Sequence, residues 1–152
     1  VRDEFADKDD WTTIDDEWLD HRGYLYAFMT HEAVRFYIAA LMTADVRSGL
    51  KWANAACDAL VGWLNYPDRH KPVGGWYNDP LSLYDYGRLC WDELPAHQAA
   101  VVVLYLRWKL YQEAAGDDIY DPLNRAWYEH LLRPLDEYWL GRASNEADLG
   151  AD

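Results

Sequence analysis

The side chains best suited to chemistry begin with an acidic cluster near the N-terminus. Glu17 and His21 are four residues apart, so they share one face of a helix, with Asp16 and Asp20 beside them. Carboxylates and an imidazole together are ligands for a divalent cation. The spacing matches no established metal site, however, and a solvated acidic helix start is the preferred interpretation. We therefore predict neither a metal nor a cofactor.

A second candidate site combines a cation, two aromatic rings and an imidazole. Arg35 is suited to a carboxylate or phosphate, Trp76 and Tyr77 lie in a glycine-containing loop, and His97 begins a helix. A cleft formed by these four would bind a small molecule or a carbohydrate, as a binding protein or an enzyme. The alternative is ordinary structure, with Arg35 paired to Glu32, the loop rings folded onto the domain and an exposed helix start.

The motifs of the common enzyme classes are absent from the sequence. There is no serine elbow, no His-Glu-x-x-His, no Cys-x-x-Cys, and the glycines after Lys71 lack the P-loop spacing. Cys57 and Cys90 lie in apolar helical contexts, which favours two buried free thiols over a disulfide. The sequence therefore gives no starting point for hydrolase, zinc-protease or redox chemistry. A protein without enzymatic activity is the preferred interpretation.

The charge balance limits the classes of partner that this chain can bind. The 14 Lys and Arg against 27 Asp and Glu give a net charge of −13, which argues against binding nucleic acid or anionic lipid. The acids concentrate at the ends, so we divide the chain into an acidic segment (1–10), a single helical domain (11–142) and an acidic tail (143–152). The acidic start lacks the apolar region of a signal peptide, which predicts the cytoplasm.

The aromatic composition suggests a function. The chain has nine Trp and twelve Tyr but only three Phe, and Trp and Tyr suit half-buried positions and interfaces. Our leading hypothesis is a non-catalytic interaction protein of the immunity or inhibitor type, which presents an acidic, Trp/Tyr-rich surface to a basic protein. Two alternatives stay open: the rings fill the core, or an aromatic face forms a homodimer.

Helix signals dominate the whole chain. The predicted N-terminal caps or first residues are Thr13, Thr30, Ser48, Asp79-Pro80, Pro95 and Asp121-Pro122. The helix at about 96–115, closed by Gly116, is apolar nearly all round between residues 99 and 106, which is typical of a buried central helix. We predict an all-α single domain of five to seven helices packed around it.

Three details of these helices are open to test. In the helix after Thr30, the apolar stripe leaves Asp45 on the outside. In the helix after Asp121, Leu123 should join the buried face, and Pro134 should kink the chain. The kink removes the bond to the His130 carbonyl, which then needs another donor.

Three segments together resemble a family of small bacterial proteins known only as a domain of unknown function. Residues 28–42 have its Phe-x-Thr-x-Glu-Ala-x-Arg-Phe-Tyr pattern, residues 94–106 its Leu…Gln…Val…Leu helix, and residues 135–139 its terminal Leu…Tyr-Trp. The sequence departs from the pattern at His31 and Ala39, where the family tends to have proline. The resemblance spans roughly residues 11–140. It implies an all-helical bacterial domain and no activity.

Overall fold

Helices form the regular structure of the part of the chain that can be described. The computed structural model describes residues 10–22, 29–48, 55–65, 82–116 and 121–144. The α-helices are α1 (Asp16–Arg22), α2 (His31–Ser48), α3 (Ala55–Val61), α4 (Leu83–Trp91), α5 (Ala96–Gly116), α6 (Pro122–Pro134) and α7 (Leu140–Ser144). A π-helical turn, Leu135–Trp139, joins α6 to α7, so the described ranges contain six continuous helices and no strand. The predicted all-α class is confirmed.

Contacts divide the chain into two compact units, residues 1–59 and residues 60–152. In the first unit, α1 begins at a cap other than the predicted Thr13. The Trp18 N–H donates to the Asp15 carboxylate at 3.0 Å, so Asp15 and not Thr13 caps the helix. Thr13 instead ends a 3-10 turn (Trp11–Thr13) that is capped by Asp10. The Thr13 hydroxyl donates to the Asp10 carbonyl at 2.8 Å, so it is engaged in this turn and not in capping α1.

Helix α2 confirms one prediction and corrects another. The Thr30 hydroxyl accepts the Ala33 N–H at 3.3 Å, as expected of the cap. Asp45, however, is only 3% exposed rather than outside the apolar stripe. The reason is the spacing: Asp45 lies four residues after the buried Leu41, so it continues the same face.

The second unit begins with the end of α3, followed by a 3-10 turn (Trp63–Asn65) and then α4. The cap of α4 is Ser82, not Asp79. The Ser82 hydroxyl accepts the Asp85 N–H at 3.1 Å, and the Asp85 carboxylate accepts the Ser82 N–H at 3.3 Å. This reciprocal capping box satisfies two backbone donors at once, which a lone Asp79 cap does not.

Helix α5 is the long helix of the second unit, and its predicted bounds are confirmed. It packs against α7, the π-helical turn and α6 with a face that includes Ala99, Val102 and Leu106, which we call the inner face. The expectation that it is buried all round is wrong, since Val101 is 53% and Leu104 is 66% exposed. The side of this apolar helix that contains Val101 and Leu104 is not covered by the described residues.

Proline shapes the end of the chain as expected. Pro134 cannot donate to His130, and the chain continues through the π-helical turn. The side-chain amide of Asn65 donates to the His130 carbonyl in its place. Asp121 accepts the Leu123 N–H at 2.8 Å, which confirms the cap, but the Leu123 side chain is 81% exposed and does not join the buried face. Leu123 lies in the first turn, ahead of the residues that pack.

Candidate functional site

A row of aromatic rings fills the core of the second unit. Trp63 contacts Tyr86 edge-on at 5.0 Å between ring centres and lies 6.5 Å from Trp91. Trp91 in turn lies 5.8 Å from Trp139. Trp91 and Trp139 are fully buried, and the Trp139 indole N–H donates to the Leu60 carbonyl at 3.1 Å. These large rings stabilise the unit and are not available to a ligand.

Exposed aromatic surface is scarce in the described residues. Every Trp there is buried or half-buried: Trp11, Trp18, Trp63, Trp91, Trp108, Trp127 and Trp139. Among the described Tyr residues, Tyr111 is the one in the exposed class, with 71% of its surface accessible. Within these ranges, four of the fourteen Trp and Tyr residues are buried and nine are half-buried, so filling of the core accounts for only part of the unusual aromatic content.

A polar cluster in the second unit surrounds Asp92, which follows α4. Its carboxylate accepts the Tyr138 hydroxyl at 2.7 Å and the Arg88 guanidinium at 3.0 Å. Arg142 of α7 donates to the backbone carbonyls of Asp92 and Leu94. The cluster therefore ties α7 and the π-helical turn to the link between α4 and α5.

The groups of this cluster are engaged with one another. Burial raises the pKa of the Tyr138 hydroxyl far above its usual range, and the hydrogen bond to Asp92 adds to the effect. The Asp92 carboxylate raises the pKa of Arg88. Tyr138 consequently stays protonated and Arg88 stays charged, and the hydrogen bonds of the cluster hold these elements together.

The exposed side of α5 has a regular apolar pattern. We call it the outer face; it consists of His97, Val101, Leu104, Trp108, Tyr111 and Ala115. Successive members are separated by four, three, four, three and four residues, which is the spacing of a coiled-coil seam. All of them are exposed except Trp108, which is half-buried with its ring 5.8 Å from that of the buried Tyr105. The seam covers nearly the whole length of the helix.

The borders of the outer face are polar but carry little charge. Gln98 and Gln112 are exposed along its length, together with Arg107, a cation without an ion-pair partner among the described residues. Glu113 is half-buried and forms an ion pair with Lys109 at 3.6 Å. In a chain of net charge −13, this is a face on which no exposed carboxylate of α5 appears.

Sequence reasoning missed the outer face because of the apolar run at residues 99–106. That run indicates burial on every side and hides the alternating four and three spacing that continues to Ala115. The spacing was the part of the signal that the sequence contains, since it separates two apolar stripes on opposite sides of the helix. It does not show which of the two stripes stays uncovered.

Two of the four predicted site residues lie in the described part of the chain, and they belong to different units. Arg35 is half-buried on α2 in the first unit, and His97 is exposed at the start of α5 in the second. The pKa of the neighbouring Glu32 is lowered mainly by backbone and Thr30 hydrogen bonds, with a smaller effect of Arg35. Trp76 and Tyr77 lie outside the described residues. The predicted pocket stays a prediction.

The other candidates have structural surroundings. Asp16 of the acidic cluster forms an ion pair with Arg47 at 3.7 Å, and the described ranges contain no group of three His, Cys, Asp or Glu arranged to hold a metal. Cys57 and Cys90 are buried free thiols, as predicted. None of the described helices has both the length and the apolar content to cross a membrane.

Comparison with known proteins adds no relative. No family model, no curated protein and no solved structure matches this chain. The resemblance to the bacterial family of unknown function therefore stays a prediction.

Proposed function

We propose that this chain is a non-catalytic protein-binding domain of the immunity or inhibitor type, which holds a basic protein partner in the bacterial cytoplasm. The observation that carries the proposal is its surplus of negative charge, a net −13. A surplus of this size favours association with a cationic surface and opposes nucleic acid and anionic membranes.

The ion pairs of the described residues support this proposal. Along the helices, cations are paired with carboxylates four residues away, as in Arg88–Asp92, Arg125–Glu129 and Arg133–Glu137. Each such pair is neutral as a unit. The positive charges are thus partly cancelled locally, and the exposed Glu17 and Asp136 contribute to the uncompensated negative charge.

The expected mechanism is electrostatic steering followed by close contact. Long-range attraction raises the association rate of oppositely charged proteins, whereas short-range contacts set the dissociation rate. Salt screens the attraction beyond about 8–10 Å at ordinary ionic strength. The association rate should therefore fall steeply with salt, and the dissociation rate should change much less.

The test is affinity capture followed by reconstitution with the purified partner. The immobilised chain is exposed to lysate of its source organism at low and high salt, beside an unrelated helical protein of matched net charge. Captured proteins are identified by mass spectrometry and purified, and their binding kinetics are measured by surface plasmon resonance. We expect a basic partner that the matched protein does not retain, with an association rate at least about tenfold slower in high salt.

Two variants separate net charge from other effects. Glu17→Gln combined with Asp136→Asn removes two exposed negative charges and should slow association severalfold. Arg125→Gln combined with Glu129→Gln removes an exposed ion pair without altering the net charge, and should leave the rate unchanged. Retention of no partner beyond the matched control, or equal rates for the two double variants, would contradict the proposal.

A further inference from the structure

We infer that the outer face of α5 is a self-association surface, on which the α5 helix of a second copy packs in the antiparallel direction. A seam of this length and spacing is the surface that one helix presents to another in a coiled coil. Val101, Leu104 and Tyr111 are 53%, 66% and 71% exposed and lie on one side of a single helix. Such a continuous apolar row is typical of a surface that another helix covers.

The outer face is symmetric along the chain, which is why a second copy fits it. Its members lie two, five and nine residues to either side of Leu106. An antiparallel pair with its two-fold axis beside Leu106 therefore matches every member with another member. A two-fold interface needs this self-matching, since the same patch must serve both copies.

The matched positions also differ in size in a way that suits close packing. Leu104 would face Trp108 of the second copy, Val101 would face Tyr111, and His97 would face Ala115. Each layer thus combines a larger with a smaller side chain. Layers of this kind interdigitate, whereas two facing Trp or two facing Ala leave overlap or a void.

Charge on α5 itself does not oppose this face as the meeting point of two copies. Two chains of net charge −13 repel one another, but α5 places no exposed carboxylate on the face. Arg107 opposes this pairing, because it lies one residue from Leu106 and would approach Arg107 of the second copy beside the two-fold axis. Both kinds of repulsion weaken with salt, so salt should strengthen self-association, opposite to its expected effect on a basic partner.

The size of the surface sets the expected strength. Helix α5 has 21 residues, so the outer face is about 30 Å long and about 10 Å wide. Two such faces bury on the order of 600 Å² in projection, below the roughly 1,200–2,000 Å² of stable specific interfaces. We therefore expect a weak dimer with a dissociation constant on the order of 100 µM.

The experiment is sedimentation equilibrium of the full chain from about 10 µM to about 1 mM, at low and high salt. The expected result is a shift from monomer towards dimer, with a dissociation constant at least about twofold lower in high salt. Leu104→Glu should weaken the dimer at least about tenfold, because it places a charge in the central layer of the seam. The matched control is Leu123→Glu, at an 81% exposed leucine of α6, which should leave the dimer unchanged.

A charge exchange tests the position of the axis. Arg107→Glu titrated into labelled wild-type chain replaces the cation pair with an opposite pair, so the mixed dimer should form at least about threefold more tightly than either parent. Circular dichroism confirms that each variant is folded. A mass that stays monomeric to the highest concentration, or equal weakening by Leu104→Glu and Leu123→Glu, overturns the inference. Neither outcome bears on the basic partner, whose binding is measured far below the self-association range.

Discussion

The inner and outer faces of α5 are both largely apolar, but the inner face is packed against other helices and the outer face is exposed. Leu106 on the inner face is fully buried, whereas Leu104, two residues earlier, is 66% exposed. Helical geometry places them on different sides of the same cylinder. The contrast between these two leucines shows that apolar composition indicates which surfaces can be buried. The neighbouring elements decide which of those surfaces is buried within the unit.

The inner face is covered because directed polar contacts fix the elements that pack on it. Arg142 donates to two backbone carbonyls in the link between α4 and α5, and Tyr138 donates to Asp92 in the same link. These bonds determine where α7 and the π-helical turn lie against α5. The outer face is an exposed apolar seam, which suits an association that forms and dissociates.

The sharpest test of the comparison is to shorten one leucine on each face. Leu106→Ala should lower the free energy of unfolding by about 2–5 kcal/mol, since it removes buried contacts and leaves a cavity. Leu104→Ala removes the same atoms from an exposed position and should change it by less than about 0.5 kcal/mol at low protein concentration. Urea unfolding followed by tryptophan fluorescence measures both. Similar values for the two variants would show that the faces are not distinct.

Removing the Arg142 hydrogen bonds should have an intermediate effect on the free energy of unfolding. Arg142→Met keeps much of the side-chain length but leaves two carbonyls without their donor, so we expect a loss of about 2 kcal/mol. The stabilisation from the wild-type contacts is reduced because the buried Nε of Arg142 has no acceptor among the described residues. Arg125→Met, in a pair whose side chains are 74% and 66% exposed, is the control and should cost about 0.5 kcal/mol or less. Equal losses would mean that Arg142 contributes no more than a surface pair.

Local signals predicted much of the fold. Thr30 and Asp121 cap their helices as expected, α5 ends at Gly116, and the carbonyl freed by Pro134 receives a new donor. These features depend on a few adjacent residues whose hydrogen-bonding needs are fixed by the backbone. They are readable from the sequence because nothing distant has to be known.

The site was less predictable because it depends on contacts between distant residues. The Asn65 donor, 65 residues from His130, and the Arg142 contacts, about 50 residues from their acceptors, leave no local pattern. Asp45 is buried because of spacing that a simple division into polar and apolar positions ignores. The outer face was hidden for a related reason, since only tertiary packing reveals which side of an apolar helix stays uncovered.

The smallest expected effect concerns the proton that Tyr138 keeps. Tyr138→Phe removes the hydroxyl that donates to Asp92, which should cost about 1 kcal/mol at neutral pH. Because folding raises the pKa of Tyr138, the unfolded chain releases this proton as the pH rises above about 10, while the folded chain retains it. The free energy of unfolding of the wild type should therefore fall in that range, whereas Tyr138→Phe has no such proton to lose. The gap in stability between the two proteins should narrow.

Urea unfolding at several alkaline pH values measures this gap. The control at neutral pH is Tyr111→Phe, at an exposed hydroxyl, which should cost almost nothing. A difference that stays constant from neutral pH into the alkaline range would show that folding does not raise the pKa of Tyr138.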